Sequence, residues 1–152
     1  MTISIALYQP DIPGNTGTIL RMAACFGLDV HIIEPAGFDL SDRSLKRAGM
    51  DYVEQATLKR HLIWEAFALH CHMEDRRIVL LSTKAERSYT EFEFLRTDMV
   101  LFGRESSGVP ARIHEAADAR LTIPMQPGRR SLNLALSVAI VTGEALRQTD
   151  WL

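Results

Sequence analysis

The chain has 152 residues, of which 47% are hydrophobic and 24% charged, and a formal net charge of -2. That length suits one well-buried domain spanning 1–152, and the slightly acidic balance excludes a protein that coats nucleic acid by bulk electrostatics. No apolar run approaches the roughly 18 residues of a membrane span, and Met1 to Gln9 lacks the basic start and long apolar core of a secretion signal, so a cytoplasmic protein is expected.

Taken in chain order, runs rich in branched residues alternate with helical patterns. "ISIALY" (3–8), the helical "TGTILRMAACFG" (16–27) and "DVHIIEP" (29–35) make a first βαβ unit. A short helix near "DRSLKRAG" (42–49), a brief strand at "YVEQATL" (52–58), a helix over "LIWEAFALHC" (62–71) and a strand at "RIVLLST" (77–83) follow. "DMVLFG" (98–103) reads as a buried strand and "PARIHEAAD" (110–118) as a helix with Pro110 in its first turn. "ARLTIP" (119–124) reads as a strand and "SLNLALSVAIVTGEALRQ" (131–148) as the last helix. Such alternation predicts an α/β fold, a mostly parallel sheet with helices on both faces. Cys25 and Cys71 each fall in a helical pattern without CxxC spacing and are expected to be buried free thiols.

Ligands of open parallel sheets bind outside the carboxyl ends of the strands, which selects four loops. They are "QPDIPGNTG", "STKAERS", "GRESSGVP" and "PMQPGRRS", all rich in Gly, Pro or small polar residues. "PGNTGT" stands where a dinucleotide site would carry GxGxxG, which argues against such a cofactor. Asn15 or Thr16 can cap the helix that follows, and Asn15 is equally open to a site role. Arg21, among the mostly apolar Ile19, Leu20, Met22, Ala23 and Ala24, requires a carboxylate or an anionic ligand. Glu105 can favour the positive end of the helix it precedes. No metal site is expected, because adjacent positions of "HCHM" (70–73) point about 100° apart on a helix and no second ligand pair has zinc-like spacing.

Projected as a helix from its first residue, the last segment places Asn133, Ser137, Glu144, Arg147 and Gln148 on one polar stripe. Apolar residues cover most of the remainder. A helix so widely apolar is either central to the core or shared with a second subunit, and the homodimer contact is preferred. Ser131 stands off the stripe, at the expected helix N-terminus, where free backbone N–H groups receive polar ligand atoms. Basic clusters at Arg43, Lys46 and Arg47 and at Arg129 and Arg130 adjoin loops, whereas Lys59, Arg60 and His61 read first as solvated surface.

Three segments, "PDIPGNTGTILRMAACFG" (10–27), "LFGRESSGVP" (101–110) and "IPMQPGRRSLNLALSVAI" (123–140), resemble the three motifs of the SpoU branch of the SPOUT RNA methyltransferases. The resemblance includes "HIIEPAGF" (31–38) and "LKRAGMDY" (45–52), and is greatest to the minimal type without an added RNA-binding domain. It implies a deep C-terminal trefoil knot, a homodimer with the cofactor sites near the interface, and S-adenosylmethionine as methyl donor. The implied substrate is the 2′-hydroxyl of the wobble nucleotide, cytidine or modified uridine, in leucine tRNAs. Another tRNA position, ribosomal RNA, or a non-catalytic RNA-binding dimer are the alternatives.

Carried over by motif, the cofactor is held by the backbone around Leu81, Gly103, Ile123 and Ser131. Arg21 is assigned to stabilise the developing oxyanion, and Ser131 and Asn133 to position nucleophile or cofactor, with Asn133 open to a role in the dimer contact as well or instead. Asn15 and Glu105 order the loops, and Arg43, Lys46, Arg47, Arg129 and Arg130 bind RNA, with Lys59 and Arg60 as further candidates. Arg104 stands where related sequences often carry proline.

Overall fold

A computed structural model describes residues 1–41, 43, 57–129 and 131–150. The short helix expected near 42–49 and the first part of the strand expected at 52–58 lie outside the described residues.

The strands are β1 (Ser4–Tyr8), β2 (Asp29–Ile33), β3 (Thr57–His61), β4 (Ile78–Leu81), β5 (Met99–Phe102) and β6 (Ala119–Leu121). The described helices are α1 (Pro13–Phe26), α2 (Trp64–Met73), α3 (Ala111–Ala116) and α4 (Leu134–Gln148), with a 3-10 turn at Tyr89–Glu91. All strand pairs are parallel and the order is β3-β2-β1-β5-β4-β6. Every residue of β1 and β5 is buried, as expected of central strands covered on both faces. One face packs Ile5, Leu7, Val30 and Val100 against Leu20 and Ala23 of α1 and Val138 and Val141 of α4. The other packs Ala6, Ile33, Leu80 and Leu101 against Phe67 of α2 and Ile113 of α3.

Two helices start elsewhere than the periodicity suggests. α1 begins at Pro13, three residues earlier, because proline suits a first helical turn. α4 begins at Leu134, three residues later, so Ser131 and Leu132 precede the helix. β3 runs from Thr57 to His61, so Lys59, Arg60 and His61 belong to an edge strand; Lys59 pairs with Asp29 and Arg60 with Glu34. Of the two cysteines expected inside, Cys71 is buried but Cys25 is exposed, on the outer face of α1.

Under α2 lies a histidine cluster. His31 is fully buried, its Nδ1 2.9 Å from His61 Nε2, with the two rings stacked and His70 of α2 against both. Burial, reinforced by the neighbouring cationic groups, pushes the His31 pKa down to about 3, and that of His61 is lowered for the same leading reason.

Beyond β6 the chain is clasped by the segment that follows β4. Ser82 N–H donates to Leu121 O (2.9 Å), Tyr89 N–H to Thr122 O (3.0 Å) and Thr122 N–H to Arg87 O (2.8 Å). Two ends of one loop therefore hold consecutive residues of a strand exit.

Candidate functional site

The carboxyl ends of β1, β4, β5 and β6 surround a cavity of about 840 Å³. All four loops picked out by the strand-end rule contribute to its wall, as do the entry to α4 and the outer turn of α3. Among the expected cofactor residues, Leu81, Gly103, Ile123 and Ser131 all line it, together with Asn15, Glu105 and Asn133.

The loop after β5 turns back on itself through paired backbone bonds between Arg104 and Gly108, 3.0 Å in each direction. Gly108 takes a φ of +68°, a conformation glycine adopts without cost. Gly103 has a different reason for being glycine: a Cβ there would stand 2.6 Å from the backbone of Gly108.

This loop locks the one after β1. The Glu105 carboxylate accepts from Asp11 N–H (3.1 Å) and Ile12 N–H (2.7 Å), at the start of α1. Glu105 thus serves α1 across the site, not the nearer helix α3 that its position in sequence suggests. It supplies what α1 lacks locally, since the N-cap Ile12 has no side-chain acceptor and Asn15 and Thr16 lie within the helix instead of capping it. Asp11 is gripped in turn. Its carboxylate pairs with the Arg104 guanidinium and accepts from Ser106 Oγ (2.6 Å) and Ser106 N–H (3.2 Å), which holds its pKa down at about 2. Arg104, the departure from the proline pattern, therefore ties the two loops together.

Asn133 is the N-cap of α4 and not a first-turn residue. Its Oδ1 accepts from Ala135 N–H (2.9 Å) and Leu136 N–H (3.3 Å). Because the oxygen faces those donors, Nδ2 must face the other way, where it donates to Asn15 Oδ1 (3.1 Å). One amide thereby fixes the start of α4 against the first turn of α1, at the rim of the cavity. The rest of the polar stripe divides. Ser137 lines the cavity, Glu144 pairs with Arg147, and Gln148 holds Phe94 N–H and Phe92 O.

Arg21 is exposed on α1 and is not among the residues lining the cavity of its own chain. Arg43 and Arg129 are exposed, while Lys46, Arg47 and Arg130 lie outside the described residues. Lys84, His114 and Glu115, which the motifs did not single out, also line the cavity. Lys84 sits in a selected loop, but His114 and Glu115 reach the cavity only through the placement of α3, for which the sequence carries no local signal. Among the described residues no group of histidine, cysteine, aspartate and glutamate could hold a metal ion, and no helix is long and apolar enough to cross a membrane.

A tRNA (cytidine(34)-2′-O)-methyltransferase of Beijerinckia indica is 56% identical over 144 residues, 95% of this chain and 90% of the relative. A solved structure described as giving insights into the 2-OH methylation of C/U34 on tRNA superposes with a TM-score of 0.90 at 41% identity, covering 97% of this chain and 95% of the other. An AdoMet-bound rRNA methyltransferase from Sinorhizobium meliloti matches with a TM-score of 0.84 at 26% identity, over 96% of this chain but 56% of its own length. The model of the SpoU rRNA methylase family matches residues 2–143, and with that span and these likenesses the chain belongs to the SpoU family of RNA methyltransferases.

Proposed function

We propose that this protein transfers a methyl group from S-adenosylmethionine to the ribose 2′-hydroxyl of the wobble nucleotide, position 34, of tRNA, with leucine tRNAs as the substrates and the cytoplasm as the place of action. The observation that carries the reading is the single cavity into which residues of all three motifs converge: Asn15 from the first, Gly103 and Glu105 from the second, Ile123, Ser131 and Asn133 from the third. Relatives named for this reaction, matching nearly end to end, supply its substrate.

The cavity fits the cofactor. Its floor is apolar at Leu81, Phe102, Ile123 and Leu134, as a heterocycle and thioether chain require, and its rim is polar at Ser82, Ser131 and Asn133, as ribose and amino-acid groups require. The sulfonium supplies an already electrophilic methyl group, so no metal is needed. The chain must align a poor nucleophile with it and stabilise the oxyanion that develops. Ser131, exposed at the rim, would hold the nucleophile or the cofactor, and Asn133 fixes the rim itself. Arginine remains protonated in proteins, so Arg21 suits a charge-stabilising donor and not a general base.

Arg21 lies outside its own chain's cavity lining, so that role requires a second subunit. A homodimer is supported by α4, whose outer face exposes Leu136 and Ile140, with Leu132 exposed just before the helix. Residues four apart share a helix face, so Leu136 and Ile140 make one apolar strip of the kind that marks interaction surfaces. Arg43, Lys46, Arg47, Arg129 and Arg130 of both subunits would then contact one tRNA. The clasp of Leu121 and Thr122 by residues 82–89 supports the trefoil knot, in which the chain leaving β6 would pass through that loop before forming α4.

Purified protein incubated with S-adenosylmethionine and unmodified leucine tRNA is expected to yield a 2′-O-methylated nucleotide at position 34, read by mass spectrometry of nuclease fragments. Methylation at any other position, or of ribosomal RNA alone, would overturn the substrate assignment.

A further inference from the structure

Beside the cofactor cavity lies a second one of about 250 Å³, lined by Tyr8, Gln9, Arg104, Ser107, Val109 and Pro110. Arg104, Ser107, Gly108 and Val109 line both cavities, so the two adjoin across the loop after β5. A ribose held at the methyl group must direct its base into neighbouring space, and this cavity is such a space.

The chemistry of its wall points to an uncharged ring. Arg104 is its cation, but Asp11 neutralises it, and Asp11 remains ionised at neutral pH because Arg104 and Ser106 hold its pKa down at about 2. A neutralised guanidinium favours a polar heterocycle over a phosphate. Tyr8, Val109 and Pro110 give apolar surface for a planar ring, and Arg104 has two of its five N–H groups left after donating to Asp11 and Gln9.

Gln9 is the reading group. It directly follows β1 with a φ of +44°, a left-handed conformation that residues other than glycine adopt infrequently. Its Oε1 accepts from Arg104 (3.3 Å), and since arginine only donates, that contact fixes which end of the amide is oxygen. The second lone pair of Oε1 and the N–H groups of Nε2 remain to form an acceptor–donor pair. Cytosine meets that pair with its N4 amino group and N3; uracil, shifted by one atom along its edge, meets it with N3–H and O2. We propose that this cavity receives the pyrimidine of the target nucleotide and that the Gln9 amide, oriented by Arg104, accepts either pyrimidine there. The proposal rests on the function given above. Anticodon bases are unpaired, so turning one into a pocket costs little.

The test compares tRNAs that differ only at position 34, one with cytidine and one with its pyrimidin-2-one analogue, which lacks the N4 amino group. Wild-type protein is expected to lose about tenfold in kcat/KM on the analogue, the effect of one buried hydrogen bond. Gln9→Ala is expected to be about tenfold slower on cytidine and to show no further loss on the analogue, a coupling that a merely structural role would not produce. The same analogue penalty in both proteins overturns the proposal. Should Gln9→Ala melt well below wild type, Gln9→Glu keeps an oxygen for Arg104 but no amide N–H. Cytidine and 3-deazacytidine then form the pair: a penalty in wild type that vanishes in Gln9→Glu supports the proposal, and an equal penalty overturns it. Failure of wild-type protein to methylate the cytidine tRNA at all is a separate result, which overturns the proposed function and the base pocket with it.

Discussion

Glu105 shows how much of the site hangs on single side chains. Its two acceptor bonds replace the local cap that α1 lacks, and they also fix the wall of the proposed cofactor cavity. Glu105→Ala leaves two N–H groups at the helix start to water, a loss of about 1 kcal/mol on the scale of N-cap removal, measurable by urea unfolding. S-adenosylmethionine affinity, measured by calorimetry, is expected to fall with it. Gly103→Ala is a harsher change, because the new methyl would stand 2.6 Å from backbone atoms of Gly108 that cannot yield as a side chain would. Overpacking of that kind costs about 1–3 kcal/mol, and the expected readout is a lower melting temperature with cofactor binding lost. The sequence marks both residues as special but not why. Glu105 lies 93 and 94 positions from the groups that it bonds, and no local pattern encodes such a pair.

At the scale of elements, periodicity locates β1, β2 and β5 to within about a residue or two, because a strand buried on both faces is nearly all apolar. Helix starts are less legible, since they depend on which polar group completes the first turn. Asn133 decides the start of α4, and Asn133→Ala is expected to cost about 1 kcal/mol through the lost cap. Losing the bond to Asn15 as well, the variant is expected to lose more in methyl transfer than in stability; the comparison of kcat with melting temperature checks this. The histidines of β2 and β3 were invisible as a cluster in the sequence, because 30 residues separate His31 from His61. His31 is neutral in the folded chain down to about pH 3, whereas in the unfolded chain it takes up a proton near its ordinary value of 6.5. Unfolding therefore binds protons as the pH falls between these values, and the unfolded state gains. The urea midpoint is expected to decline from pH 7 towards pH 4, and His31→Leu, which removes the titrating ring, is expected to flatten that decline.

For the whole molecule, the parallel sheet and the closeness of the four strand-end loops follow from βα alternation and the strand-end rule. The strand order and the proposed passage of the chain through the 82–89 loop do not, because no propensity or spacing records the order in which segments pair or cross. The proposed second subunit is legible only in part: the apolar circumference of the last helix is plain in sequence, but its division into a face on α1 and a face left outside is decided by packing. Leu136→Asp with Ile140→Asp places two charges on the outer face and is expected to convert the proposed dimer to a monomer in sedimentation equilibrium, with methyl transfer lost and secondary structure kept. Binding of tRNA is expected to weaken with added salt, and Arg129→Ala to lower the slope of log affinity against log salt by about one.

The pairing of Asn15 with Asn133 spans 118 positions and joins the first helix of the chain to the last. A chain that ends after β6 holds the described strands but lacks Ser131, Asn133 and Leu134, one wall of the cavity. Capture of the proposed cofactor is thus expected to be among the last properties that the growing polypeptide acquires. A chain truncated before Asn133 is expected to lack the proposed binding site, so a labelled S-adenosylmethionine analogue is expected to distinguish finished chains from truncated ones.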